Sequence, residues 1–232
     1  MMTVLHTAAD GSQVQIYTGL AVNEPFTSFV NLRIGSHIQE FSSGISGYAS
    51  ANAVDAGVTE FTDEYRFDGG TLRLGITVQE MQNQVRANLA VAAWEGAQFS
   101  LFTHAYNVDK PADLLDVLTQ VQFAESATGA TLAPRDPGKT PVSQVTLVKE
   151  LPGLGLLQIE PAVGDLMRRL PAWRGRAVAG GELFVDHEAD DARRSFLLAG
   201  STAITRVLPD PGPVLDTVLP ALTELRVDWR VG

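Results

Sequence analysis

Phe99-Ser100-Leu101-Phe102-Thr103-His104-Ala105-Tyr106, followed by Asn107-Val108-Asp109-Lys110-Pro111 and Ala112-Asp113-Leu114-Leu115-Asp116-Val117-Leu118, changes its periodicity midway. Residues 98–106 read as a strand. Beyond them Asp109 can cap a helix, Pro111 suits its first turn, and Leu114, Leu115, Leu118 and Val121 share one helical face. The spacing predicts a helix over 111–123, ending before Ser126-Ala127-Thr128-Gly129. The same change recurs near the C-terminus: Thr202–Leu208, then Asp210-Pro211, then Val214-Leu215-Asp216. Pro111 and Pro211, Leu115 and Leu215, and Asp116 and Asp216 fall at equal offsets. A second helix is expected over 213–226, with Val214, Leu215, Val218, Leu219, Leu222 and Leu225 on its apolar face. Pro220 inside it removes a backbone hydrogen bond and predicts a kink or an early break.

Outward from these two segments the signals are mostly those of strands. Phe26, Val30, Leu32 and Ile34 share one parity, and so do Leu72, Leu74, Ile76 and Val78, which follow the turn sequence Asp68-Gly69-Gly70. Further strands are read at Val14–Ile16, Val85–Trp94, Gln144–Lys149, Leu156–Ile159, Arg176–Ala179, Glu182–Asp186 and Ser195–Leu208. Residues 42–58, rich in Ser, Gly and Ala, read as a mobile loop or a weak element. A short helix is expected with Val163, Leu166, Met167 and Leu170 on one side, closed by Pro171. Short turns between strands favour antiparallel pairing.

The expected fold class is therefore α+β: antiparallel sheet strands with one long amphipathic helix per half. The first half, 1–130, is closed by the helix 111–123, and the second, 131–232, by the helix 213–226. The seam is Ala133-Pro134-Arg135-Asp136-Pro137-Gly138-Lys139-Thr140-Pro141, whose three prolines read as a linker, and the halves could pack as one unit. Matching ends are what an internal duplication leaves, and also what two unrelated closing helices can leave. The order of strands and then a helix after a proline turn is similar to the Mog1/PsbP-like architecture, over element order and roughly the last thirty residues of each half; no residue motif carries that likeness, and it implies no function.

Composition excludes several classes. A chain that is 45% hydrophobic and 19% charged is expected to be globular. There is no cysteine, which removes disulfides, thiolate nucleophiles and cysteine-bound zinc. The N-terminus, Met1-Met2-Thr3-Val4-Leu5-His6, has neither the basic start nor the apolar core of a secretory signal. Leu151–Ile159, the most apolar later run, is much shorter than the roughly 20 residues a membrane helix needs. The expected location is the cytoplasm. The net charge of −10 is uneven: residues 1–130 hold 5 Lys+Arg against 14 Asp+Glu, and residues 131–232 hold 12 against 13. The first half should repel nucleic acid and anionic membranes.

No catalytic motif stands. Gly138-Lys139-Thr140 lacks the first glycine of a phosphate loop, Ala133 occupying that place, and its flanking prolines remove amides that phosphates would use. Gly44-Ile45-Ser46-Gly47 and Gly200-Ser201 lack the nucleophile-elbow frame. His6, His37, His104 and His187 are not at ligand spacing. Asp186, His187 and Glu188 are weak metal candidates in what reads as an acidic hairpin loop, so no metal and no cofactor are expected.

The sharpest local feature is Arg168-Arg169-Leu170-Pro171-Ala172-Trp173-Arg174-Gly175-Arg176, in an otherwise acidic chain. Arginines at a helix C-terminus favour the helix dipole. Together with Trp173, a preferred interface anchor, Arg168, Arg169, Arg174 and Arg176 also form a candidate anion- or partner-binding site. With three lysines in the chain, nucleic acid is not an expected partner. The leading expectation is a non-enzymatic binding, adaptor or accessory (chaperone-like) protein with a protein partner. The alternatives are an enzyme or binder of a small anionic molecule in a cleft between the halves, and a structural component of a larger assembly.

Overall fold

Leu72 and Leu74 are buried while Thr71 and Arg73 between and beside them are half-exposed, and this period of two runs through most of the chain. The structure, a computed structural model, describes residues 1–20, 22, 25–80, 86–151, 154–163, 167–168, 170–187, 194–209 and 215–232, without the side chains of 186, 187, 194 and 215–217.

In chain order the elements are β1 (Met2–Thr7), β2 (Gln13–Thr18), β3 (Thr27–Ile34), β4 (His37–Ile45), α1 (Tyr48–Asp55), β5 (Asp63–Phe67), β6 (Gly70–Glu80), β7 (Arg86–Glu95) and β8 (Phe99–Tyr106). A 3-10 turn (Pro111–Leu114) runs into α2 (Leu115–Leu118), followed by β9 (Val121–Ser126), β10 (Gly129–Pro134), β11 (Val142–Leu151) and β12 (Gly155–Pro161). Then come β13 (Arg176–Val178), β14 (Gly181–His187), β15 (Arg194–Ala199), β16 (Ala203–Leu208), α3 (Leu215–Glu224) and β17 (Arg226–Arg230).

This corrects the α+β expectation. The protein is mostly β, with 58% of residues in strands and 12% helical. No described helix is long: α1 has 8 residues, α2 has 4 and α3 has 10. The helix expected over 111–123 ends at Leu118, and Val121 opens a strand. Val121 fits both patterns, because it lies at helical spacing from Leu114 and Leu118 yet alternates with Phe123. Short apolar runs carry this ambiguity, and it is resolved by pairing. Phe123 stands opposite Leu132 across the β9–β10 hairpin, and both are buried. The helix expected over 213–226 occupies Leu215–Glu224 with Pro220 inside, and the chain continues into β17 instead of closing on a helix; residues 213 and 214 lie outside the described residues. Among the described residues no helix is long and apolar enough to cross a membrane.

The chain divides into two compact units, one of residues 1–6, 12–26 and 146–232, the other of residues 7–11 and 27–145. Of the twelve strands of the largest sheet, the second unit holds β3-β4-β8-β7-β6-β5 in that order, each neighbouring pair antiparallel, with the start of β11 beside β3. One face carries α1: Ala49, Ala53 and Val58 pack with Leu89, Val91, Ala93 and Phe102. On the other, Phe123 meets Trp94 edge-on at 5.7 Å, Phe67 at 5.4 Å and Phe41 at 6.2 Å. Residues 135–141 join β10 to β11 within this unit as a turn closed by Arg135 N–H donating to Gln120 O (2.8 Å) and Thr140 N–H to Asp136 O (2.9 Å).

The segment 42–58, expected as a mobile loop or a weak element, holds the end of β4 and α1. Its helix start is built from other strands. Gly47 takes the left-handed conformation (φ 86°) with no side-chain cap of its own. The Glu95 carboxylate accepts from Gly47 N–H (3.2 Å) and Ser50 Oγ (3.0 Å), and Ser100 Oγ accepts from Ala49 N–H (3.0 Å).

The first unit repeats the connectivity of the second. Its sheet order is β11-β12-β16-β15-β14-β13, each strand number being eight above its counterpart in β3-β4-β8-β7-β6-β5. In each case a hairpin is followed by an excursion, a four-strand meander, a short helix and a further strand. Here that further strand, β17, pairs with β2, Val227 opposite Ile16 and Trp229 opposite Val14. Phe184, Leu197 and Ile204 form a core against which Ala162 and Leu170 pack.

Candidate functional site

The Arg/Trp segment lies in the excursion between β12 and β13. Met167 and Arg168 are helical, and Leu170 is drawn inward onto Phe184, Leu197 and Ile204. Pro171 ends any helix there. From that anchor the chain swings outward. Trp173 is 60% exposed, whereas Trp94 is 1% and Trp229 4% exposed. Trp94 donates its indole N–H to Phe67 O at 2.7 Å, the usual way to bury a tryptophan. Val163 and Met167, also in this excursion, are exposed apolar side chains.

Gly175 returns the chain to the sheet. A side chain there would stand 2.9 Å from Leu183 O and 3.0 Å from the Phe184 ring. Arg176 then pairs with Leu183 and Ala177 with Glu182, and β13 is the terminal strand of its sheet. Arg174 and Arg176 are exposed and make no ion pair among the described residues. Arg168 is exposed and has a polar partner; Arg169 lies outside the described residues. No Asp or Glu occurs between Asp165 and Glu182 in the sequence, so the segment itself is basic in a chain of net charge −10; the Glu182 carboxylate meets it at Gly175, accepting from that N–H at 3.4 Å.

The other candidates do not assemble into chemistry. The side chains of Asp186 and His187, and all of Glu188, lie outside the described residues. Among the described residues no three His, Cys, Asp or Glu side chains group as a metal requires. Ser201, expected within one strand over 195–208, sits in the exposed turn between β15 and β16, closed by Gly200 N–H donating to Ala203 O (2.9 Å). His6 is buried with its ring 5.9 Å from Phe26 and no partner for Nε2; burial pushes its pKa down to about 4.

The sequence reading missed one place. Glu60, Phe61, Thr62, Asp63, Glu64 and Arg73 line an open depression of about 470 Å³. It lies in the excursion before β5, the terminal strand of its own sheet. By strand order this is the counterpart of the Trp173 segment. Gly75 lies beneath this excursion, where a side chain would collide with Val58 and press on Glu60 O. Arg73 Nε holds Glu64 at 2.9 Å, and Thr62 Oγ1 donates to Asp63 at 2.8 Å. Among the described residues the carboxylates of Glu60 and Asp63 make no ion pair, so acidic groups outnumber Arg73 in the depression. The run Glu60-Phe61-Thr62-Asp63-Glu64 was the available signal, but Arg73 joins it only through the β5–β6 pairing.

Compared with known proteins, the chain matches no family model, no curated protein and no solved structure.

Proposed function

We propose that this chain is a non-enzymatic binding protein of the cytoplasm, of adaptor or accessory type. Its recognition surface is the segment around Trp173, Arg174 and Arg176, and the partner is an acidic protein surface. The observation that carries the reading is the exposure of Trp173, when the other two tryptophans are buried. Covering its exposed area would contribute about 3 kcal/mol, enough to make one side chain a hot spot. The neighbouring arginines add orientation and association rate more than affinity.

The test is affinity capture with the wild-type chain and with Trp173→Ala/Arg174→Ala as bait, at matched folding. Support is a stoichiometric partner retained by the wild type and lost by the variant. Absence of any stoichiometric partner, or equal retention by both baits, overturns the proposal.

A further inference from the structure

We infer that copies of this chain associate head to tail, Trp173 and Arg174 of one copy seating in the Glu60–Glu64 depression of the next; this rests on the reading of Trp173 as a protein-binding anchor. Three observations fit the two surfaces to each other. The first is charge. The Trp173 segment is basic, with Arg174 and Arg176 in no ion pair among the described residues, and the depression is lined by Glu60, Asp63 and Glu64, of which only Glu64 is held by Arg73. Two copies of the basic edge would repel each other, as would two copies of the acidic one, so only the mixed pairing is favourable.

The second is shape. An exposed indole needs an apolar surface to lie on, and the open, mostly polar depression of about 470 Å³ offers the Phe61 ring in its lining. The third is the backbone. The two-residue turn Ala179-Gly180 closes on the Val178–Gly181 pair, so Ala177–Glu182 is a non-hydrogen-bonded pair and Ala177 directs its N–H and C=O outward. By the same alternation, the turn Asp68-Gly69 closes on Phe67–Gly70, leaving Glu64 and Arg66 with outward N–H and C=O groups. Each edge therefore carries unpaired main-chain groups, as strand addition requires.

The direction of docking follows. In a parallel arrangement Ala177 bonds to Glu64 and Arg66 across Tyr65, which brings Arg176 beside Glu64 and Trp173 back to Phe61. An antiparallel arrangement carries Trp173 past Asp68, away from the depression. Because the two surfaces differ, the contact is heterologous and closes into a ring of two or more chains or runs on as an open chain.

The experiment is sedimentation velocity on the full chain from about 1 µM to several hundred µM, the range expected for a contact smaller than a standard interface. The wild type should exceed the mass of one chain as concentration rises, and should revert in high salt. Trp173→Ala/Arg174→Ala and Glu60→Lys/Asp63→Lys should each stay monomeric with unchanged melting temperatures. An equimolar mixture of the two should form a species of two chains and nothing larger, since each retains one working surface. A wild type that is monomeric throughout, a mixture that does not associate, or association that survives in either variant overturns the inference. If the wild type is monomeric while partner capture still depends on Trp173, the self-association falls and the protein-binding surface stands.

Discussion

Lowering the pH should unfold this protein through His6, and the structure sets the size of the effect. His6 is 3% exposed, its ring rests beside Phe26, and its Nε2 has no hydrogen-bond partner. Burial alone pushes its pKa from 6.5 down to about 4. The folded state therefore holds the imidazole neutral between these values while the unfolded state takes up a proton. Stability from this group is complete above pH 6.5, declines as pH falls towards about 4, and is flat below. Each pKa unit corresponds to 1.36 kcal/mol, so the loss is about 2 kcal/mol at pH 5 and about 3 kcal/mol at pH 4. The assay is urea unfolding of the wild type and His6→Phe at several pH values between 7.5 and 4. Phenylalanine keeps a ring beside Phe26 and cannot titrate, so the difference between the two proteins isolates His6. The difference should shift in favour of His6→Phe by the stated amounts as pH falls. A difference independent of pH would refute the reasoning, and would mean that the His6 ring is reached by water or by a proton acceptor.

The Glu125 carboxylate accepts from the backbone N–H groups of Ala97 (2.7 Å), Gln98 (2.5 Å) and Phe99 (3.0 Å), clamping the β7–β8 turn. Glu125→Gln, which removes the charge and one acceptor, should lower the unfolding free energy by about 1–2 kcal/mol, read from the urea midpoint. Gly75→Ala places a methyl group into Val58 and should cost about 1–3 kcal/mol by overpacking; in the same sample, concentration-dependent association should weaken because the excursion over β6 is displaced. Trp173→Ala, by contrast, should leave the melting temperature within a degree or so, since exposed side chains contribute little to folding.

The strands were legible where both periodicity and turn chemistry were local. Leu72 and Leu74 alternate, and Asp68-Gly69 turns with both residues left-handed, at φ 44° and 81°, so β6 and β7 could be placed without tertiary knowledge, whereas β5 was not read. The exposure of Trp173 was legible too, because the arginines and Pro171 around it disfavour burial. What failed did so for physical reasons. α1 reads in the sequence only as a mobile loop or a weak element because its caps, Glu95 and Ser100, arrive from strands 45 or more residues away, and its interior Ala49 and Ala53 carry little amphipathic signal. The helix over 111–123 was over-extended because Val121 satisfies two periods at once, and only the pairing of Phe123 with Leu132 decides between them. The acidic depression was invisible because Arg73 reaches Glu64 across a strand pair rather than along the chain.

The repeated strand order gives the charge asymmetry a location. In both units the chain crosses from the second strand of a hairpin to a terminal strand, at residues 46–62 and again at 162–175, and the meander that follows has the same order. Within a sheet the order is constrained on both sides by pairing and by buried faces, so it tolerates little change. A crossing beside a terminal strand is constrained on one side, and its outer residues are free to vary in sign. One crossing folds down as α1 and brings Glu60 and Phe61 to Asp63 and Glu64 at the start of β5; the other is pinned at Leu170 and turns Trp173 and Arg174 outward just before Arg176 of β13. Opposite charge at equivalent places is what a sheet protein needs if its edges are to refuse copies of themselves and still accept each other.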